Sequence, residues 1–161
     1  MTVAPPACAI LCPGPSLSRF PVGLIRHHQI IAVNDARELC PHDYWCAGDA
    51  HTFYKNKLHP NTKVVHCTAE PMPDAPTRHI SWSSLGARPE HYSMVTALRL
   101  AKHLGFESVA VFGCDWAGSK YFNGIEDTKC THAGRWKAER EAWEALVATI
   151  GIPVVRYGPI G

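Results

Sequence analysis

Polar residues able to do chemistry fall at the points where this chain's apolar runs stop. The run 7–12 breaks into Pro13-Gly14-Pro15-Ser16-Leu17-Ser18, and the run 29–33 into Asn34-Asp35. The run 44–47 breaks into Gly48-Asp49, and the run 108–114 into Asp115-Trp116-Ala117-Gly118. A buried strand that ends in a Gly/Ser loop leaves backbone N–H groups and a hydroxyl beyond its carboxyl end. In an open α/β sheet that is where anionic, nucleotide-like ligands bind. Turns and helix N-caps use the same residue types, so any one of these breaks is compatible with a structural role. Their recurrence at four strand ends points to a crevice.

Later in the chain, His132 and Arg135 bracket Ala133-Gly134 ahead of the last helical stretch. An imidazole there could take a proton from a hydroxyl near neutral pH, and an arginine at a helix start could contact an anion. The pairs Cys40/His42, His66/Cys67 and Cys130/His132 lack the spacing of a zinc site, and neighbours on a strand point to opposite faces, so no structural metal is expected. The first loop has neither the Gly-Lys-Ser/Thr ending of a Walker loop nor the three spaced glycines of a dinucleotide fingerprint.

The elements that must position these residues read as an alternating α/β pattern. Strands are predicted at 7–12, 29–33, 44–47, 63–67, 108–114 and 154–157, with a weaker one at 79–82 after the proline-heavy connector 70–77. Apolar residues repeat at three- and four-residue steps over 90–104, where Gly105 follows as a C-cap, and over 135–150, where Gly151 and Pro153 end the run. In the second helix Glu139, Arg140, Glu141 and Glu144 are assigned largely to the side away from the apolar residues. The fold expected is a single Rossmann-like domain over residues 1–161, with a mostly parallel sheet and helices on both faces.

Composition narrows the partners. Among 161 residues, 46% are hydrophobic and 19% charged, the net charge is +2, and no apolar run approaches the roughly 18 residues a membrane span needs. A soluble chain without a transmembrane segment is expected. The basic residues are scattered, which argues against nucleic acid as a partner. Seven cysteines, an odd number, sit mostly in apolar runs and read as reduced thiols. With no signal-peptide pattern in residues 1–6, the expected compartment is the cytoplasm.

The order of four pieces resembles a known family: Ala9-Ile10-Leu11-Cys12-Pro13-Gly14-Pro15-Ser16-Leu17, Ile31-Ala32-Val33-Asn34, the stretch 93–115 and the late His132. Over roughly residues 7–158 the chain resembles the bacterial sialyltransferases of glycosyltransferase family 42. It is also similar to a related phage and bacterial domain family that includes archaeal 6-hydroxymethyl-dihydropterin diphosphokinases. It is a compact form, without the acceptor-binding insertions and the C-terminal membrane-associated part. The resemblance implies a nucleotide-dependent transferase that uses a CMP-activated sugar and a small-molecule or glycan acceptor. It places Gly14, Pro15 and Ser16 around the donor's phosphate and ribose, Asn34 at the nucleotide, and Ser93 and Thr96 at a helix start facing the phosphate; Asp49, at the end of the third apolar run, is taken as a further nucleotide contact from its position at a strand end. Asp115 matches the family's Gly-x-Asp, and His132 the histidine that deprotonates the acceptor hydroxyl.

Three departures stand out. The asparagine of the family's first loop is Pro13, which removes an amide and a backbone donor. No glycine follows Ser93, and Tyr92 and Tyr121 are the nearest counterparts of the tyrosines that assist the leaving phosphate. No tightly bound cofactor is implied. The alternative within the resemblance is diphosphoryl transfer to a pterin-like alcohol, with Mg²⁺ on Asp49 or Asp115. A non-catalytic nucleotide-binding protein is a third reading, and a second copy of the chain could complete an acceptor site in so compact a form.

Overall fold

The structure is a computed structural model that describes residues 7–54, 63–72, 78–88, 91–118, 120–126 and 134–158. Seven strands, β1 (Ala7–Leu11), β2 (Gln29–Val33), β3 (Tyr44–Ala47), β4 (Val65–Thr68), β5 (His79–Ser81), β6 (Ser108–Phe112) and β7 (Val154–Tyr157), form one sheet in the order β5-β4-β3-β2-β1-β6-β7. Every neighbouring pair is parallel. This is a Rossmann-like α/β arrangement in which the chain builds outward from β1 in one direction, then returns to build outward in the other. β1 is therefore the point where the strand order reverses, and the connections leaving β1 and β6 diverge there.

The two halves of the chain cover different faces of the sheet, as right-handed crossovers require when their direction across the sheet changes. On one face, Cys8, Ile10, Ile31, Val33, Cys46, Cys67, Val109 and Val111 pack against the two α-helices, α1 (Ser93–His103) and α2 (Arg135–Thr149). On the other face, Ala9, Leu11, Ala32 and Trp45 are covered by the short connections of the first half. The sequence anticipates helices on both faces, and among the described residues the helices on this second face are 3₁₀ helices at Pro15–Arg19, Val22–Ile25 and Asn34–Glu38 and a π turn at Ala50–Tyr54. Proline limits the first of these, because Pro21 follows the C-cap Phe20 and has no N–H with which to carry the segment further.

Several boundaries differ from the sequence reading. β4 runs from Val65 rather than residue 63 and includes Thr68, because His66 and Thr68 are polar yet fully buried. β6 stops at Phe112, two residues early, because Gly113 turns into the left-handed region with φ +70°. α1 ends in a Schellman arrangement: Phe106 N–H donates to Ala101 C=O at 3.2 Å and Gly105 N–H to Lys102 C=O at 3.1 Å, with Gly105 at φ +83°. Six cysteines lie among the described residues and all are unpaired; Cys130 lies outside them. Among the described residues no helix is long and apolar enough to cross a membrane.

Two glycines let the loops after β1 and β6 touch. Gly14 N–H donates to Gly113 C=O at 2.8 Å, and Cys12 N–H to Phe112 C=O at 2.8 Å. A Cβ on Gly14 would fall 2.2 Å from Gly113 O, and one on Gly113 would fall 2.0 Å from Cys12 O. Gly113→Ala is therefore expected to cost about 3 kcal/mol, from positive φ and backbone overlap together. Gly23, with open space around its α-carbon, is the control, and Gly23→Ala should stay within about 1 kcal/mol. Urea unfolding of both variants, read by circular dichroism, checks the contrast.

Candidate functional site

The residues that follow β1, β2, β3 and β6 line one cleft at the carboxyl edge of the sheet, about 290 Å³ in volume. Of the residues singled out from the sequence, Gly14, Pro15, Asn34, Asp49, Ser93, Asp115 and Arg135 line it. Ser16 and Thr96 do not. His132 lies outside the described residues, although Arg135 begins α2 at the cleft wall.

Ser16 is turned toward Asp115 instead of the cleft. Its hydroxyl donates to Asp115 Oδ1 at 2.5 Å and its backbone N–H to Asp115 Oδ2 at 2.7 Å. The carboxylate thus caps the start of the 3₁₀ helix at Pro15–Arg19 and holds the β1 loop against the β6 loop across the switch point. Thr96 sits one turn into α1, fully buried, with its hydroxyl unpartnered among the described residues, so it faces the sheet and not a phosphate.

Both α-helices begin at this cleft. Tyr92, Ser93 and Met94 at the start of α1 and Arg135, Trp136 and Glu139 in the first turns of α2 line it. Neither helix has a side-chain cap, and neither carries an acidic residue in its first turn. Among the described residues no side chain thus caps either start, and the first N–H groups and the positive end of each macrodipole face the cleft. Ser93 Oγ accepts Gly48 N–H at 2.9 Å, which leaves the hydroxyl hydrogen to donate. Gly48 must be glycine, since a Cβ there would meet the Trp82 ring at 2.5 Å.

The cleft has strained corners. Asn34 and Trp116 are the only non-glycine residues with positive φ among those described, at 51° and 49°. Each leaves one buried polar atom, Asn34 Oδ1 and Trp116 Nε1, without a partner among the described residues. Asn34 is held from behind: Trp45 Nε1 donates to its carbonyl at 3.0 Å, and Tyr54 OH donates to neighbouring Asp35 at 2.6 Å. The Trp116 ring has the Arg156 guanidinium 4.9 Å and the Arg140 guanidinium 5.8 Å from its centre. The turn 120–126 walls the opposite side, with Phe122 N–H donating to Pro13 C=O at 2.9 Å, and brings Lys120 and Tyr121 to the cleft.

The thiols beneath the cleft are poor nucleophiles. A hydrogen bond with Cys114, then burial, then the negative charges of Glu139 and Asp115 push Cys12 well above the ordinary thiol range. Burial, then contact with Cys67, does the same to Cys46. Both stay protonated at neutral pH, and cysteine-based covalent catalysis at these positions is disfavoured. Among the described residues no three His, Cys, Asp or Glu side chains gather as a metal site.

The sequence reading did not single out Trp116, Lys120, Trp136 or Glu139 as site residues. Glu139, assigned there to the outer side of the helix, is instead buried and lines the cleft. Its position carried a readable signal: it stands three residues after Trp136 and four before Trp143, on the apolar stripe itself. Tyr92 and Tyr121, the departures noted above, both reach the cleft. No protein-family model, no curated protein and no solved structure matches the chain.

The Ser16–Asp115 clamp yields a measurable coupling. Ser16→Ala and Asp115→Ala should each destabilise the fold, the second by about 2 kcal/mol, and the double variant should cost less than their sum by about 1 kcal/mol. A double-mutant cycle on urea midpoints checks this; additive losses would show that the two side chains do not act as a unit.

Proposed function

We propose that the protein is a nucleotide-dependent transferase, most like a glycosyltransferase that uses a CMP-activated sugar, with the nucleotide's phosphate held where α1 begins and its body along the loops after β1, β2 and β3. The observation that carries this reading is the meeting of two uncapped α-helix starts, without acidic first turns, at the reversal point of a parallel sheet. Oriented N–H groups and helix dipoles stabilise negative charge as it grows on a departing phosphate, the electrostatic contribution that group transfer needs most. Ser93 adds a hydroxyl donor at the same place, and Asn34 an amide at the end of β2.

A glycosyl reading is favoured over diphosphoryl transfer by the state of Asp115. Each of its oxygens accepts a hydrogen bond from Ser16, so the carboxylate already serves to close the switch point, and a Mg²⁺ there would have to share it through the remaining lone pairs. Glycosyl transfer asks of Asp115 only that it keep the loop in place.

Thermal melting with CMP, CDP, UDP, GDP, ATP and CMP-sialic acid, each with and without Mg²⁺, tests the reading. CMP and CMP-sialic acid should raise the melting temperature without metal, in line with a gain of about 2.7 kcal/mol at a hundredfold excess over Kd. Ser93→Ala should weaken the shift. Stabilisation that requires Mg²⁺ would favour phosphoryl transfer, and no shift with any nucleotide would overturn the assignment. CMP binding without turnover of any sugar nucleotide would leave a nucleotide-binding protein.

A further inference from the structure

Helix α2 carries three ion pairs at i,i+4 spacing, and one of them is turned inward. Lys137–Glu141 and Arg140–Glu144 lie in solvent, their side chains 58–82% exposed. Arg135 and Glu139 pair at 3.3 Å with side chains only 21% and 10% exposed, and both line the cleft. Withdrawing two charges from water costs more than a surface pair does, and the neighbouring pairs show that this helix has no need of a buried one. Buried, paired ionisable groups in a cleft are where proton-transfer residues are found.

The other titratable groups of the cleft are less suited to taking a proton. Asp115 is occupied by Ser16, and Cys12 is held as a thiol by Cys114, burial and the surrounding negative charge. Asp49, Cys114, His91, Lys120 and the tyrosines 92 and 121 complete the set that shares the cleft with Glu139. Asp49, the other carboxylate among them, is half-buried, whereas Glu139 is buried.

We propose that Glu139 is the proton acceptor of the transfer reaction, with Arg135 as the residue that positions it. The inference rests on the nucleotide-sugar reading above. The Glu139 carboxylate takes the proton of the attacking hydroxyl as that oxygen bonds to the anomeric carbon. The bond from that carbon to the nucleotide's phosphate oxygen breaks, its electron pair leaves on the phosphate, and the proton passes from Glu139 to solvent. The family resemblance gives this role to His132 instead, so the two assignments can be separated.

The test is release of CMP from CMP-sialic acid with water as the acceptor, measured against pH for the full chain, Glu139→Gln and His132→Ala, alongside the melting shift that CMP gives each variant. Glu139→Gln should lower kcat about a hundredfold or more, flatten the acid limb of the pH profile and keep the CMP shift, a loss larger than that of His132→Ala. Parental turnover by Glu139→Gln, or the larger loss falling on His132→Ala, overturns the proposal. If Glu139→Gln loses the CMP shift, Glu139→Asp decides. A kcat loss of about tenfold or more with the shift intact supports the role, and parental turnover overturns it. A parent chain that binds CMP but never releases it from the sugar nucleotide overturns the proton-transfer role alone, whereas one that binds no nucleotide removes the underlying reading too.

Discussion

The cleft depends on backbone meeting backbone between the loops that leave β1 and β6. Neither Gly14 nor Gly113 has room for a Cβ, the first because of Gly113 C=O and the second because of Cys12 C=O, and Gly14 N–H donates to Gly113 C=O. Asp115 then locks the contact by accepting both the amide and the hydroxyl of Ser16. In a parallel sheet the two strands adjoining a reversal point would otherwise send their connections to opposite faces and leave an open gap. Here the gap is closed at its base and open at its rim. Ser16 is thus turned to Asp115, which caps the loop and lines the cleft at its base, and the helix starts and the side chains above them form the rest of the wall.

The unequal cover of the two faces follows from how the chain is divided. First-half connections are shorter and proline-bearing, and their described 3₁₀ and π turns bury few apolar side chains: Leu17, Ile25, Ala36, Ala50 and Tyr54. Second-half connections are long enough for amphipathic α-helices. Only a helix of several turns accumulates a useful dipole, so the two that do lie on the same face and begin at the same edge. Anion attraction in the cleft is accordingly concentrated on the side of α1 and α2, while the β2 and β3 ends contribute the amide of Asn34, the carboxylate of Asp49 and the Gly48 N–H that orients Ser93.

Much of the fold was legible because buried parallel strands read as unbroken apolar runs. The runs at 29–33, 44–47 and 154–157 match β2, β3 and β7, and the second helix was placed to within a residue. The strand ends were visible for the same reason, since each apolar run stops where the cleft begins. What hydrophobic patterning cannot show is which polar residue spends its hydrogen bonds on another part of the chain. Ser16 and Asp115 are 99 positions apart, and nothing local to either announces the other. Thr96 stands near a helix start in sequence, yet α1 presses so closely on the sheet that Met94–Leu98 are all buried. Glu139 was missed for the converse reason: its charge was taken as a sign of exposure, although its spacing from Trp136 and Trp143 put it on the inner stripe.

Asn34 and Trp116 mark the upper cleft as a place where the backbone is held in an uncommon conformation. Each occupies a left-handed backbone conformation that costs a side-chain-bearing residue free energy, and the cost is greater for the bulky indole than for the amide. Each also buries a polar atom that has no partner among the described residues. A glycine at either position would relieve the backbone, and this chain places glycine at the corresponding turn of Gly113, only three residues before Trp116. The side chains therefore stand where the fold alone would prefer none, on either side of β1 and on the wall of one cleft. Strain kept at two positions that share a cavity, and found at no other non-glycine residue described, is most simply explained by what those side chains do there.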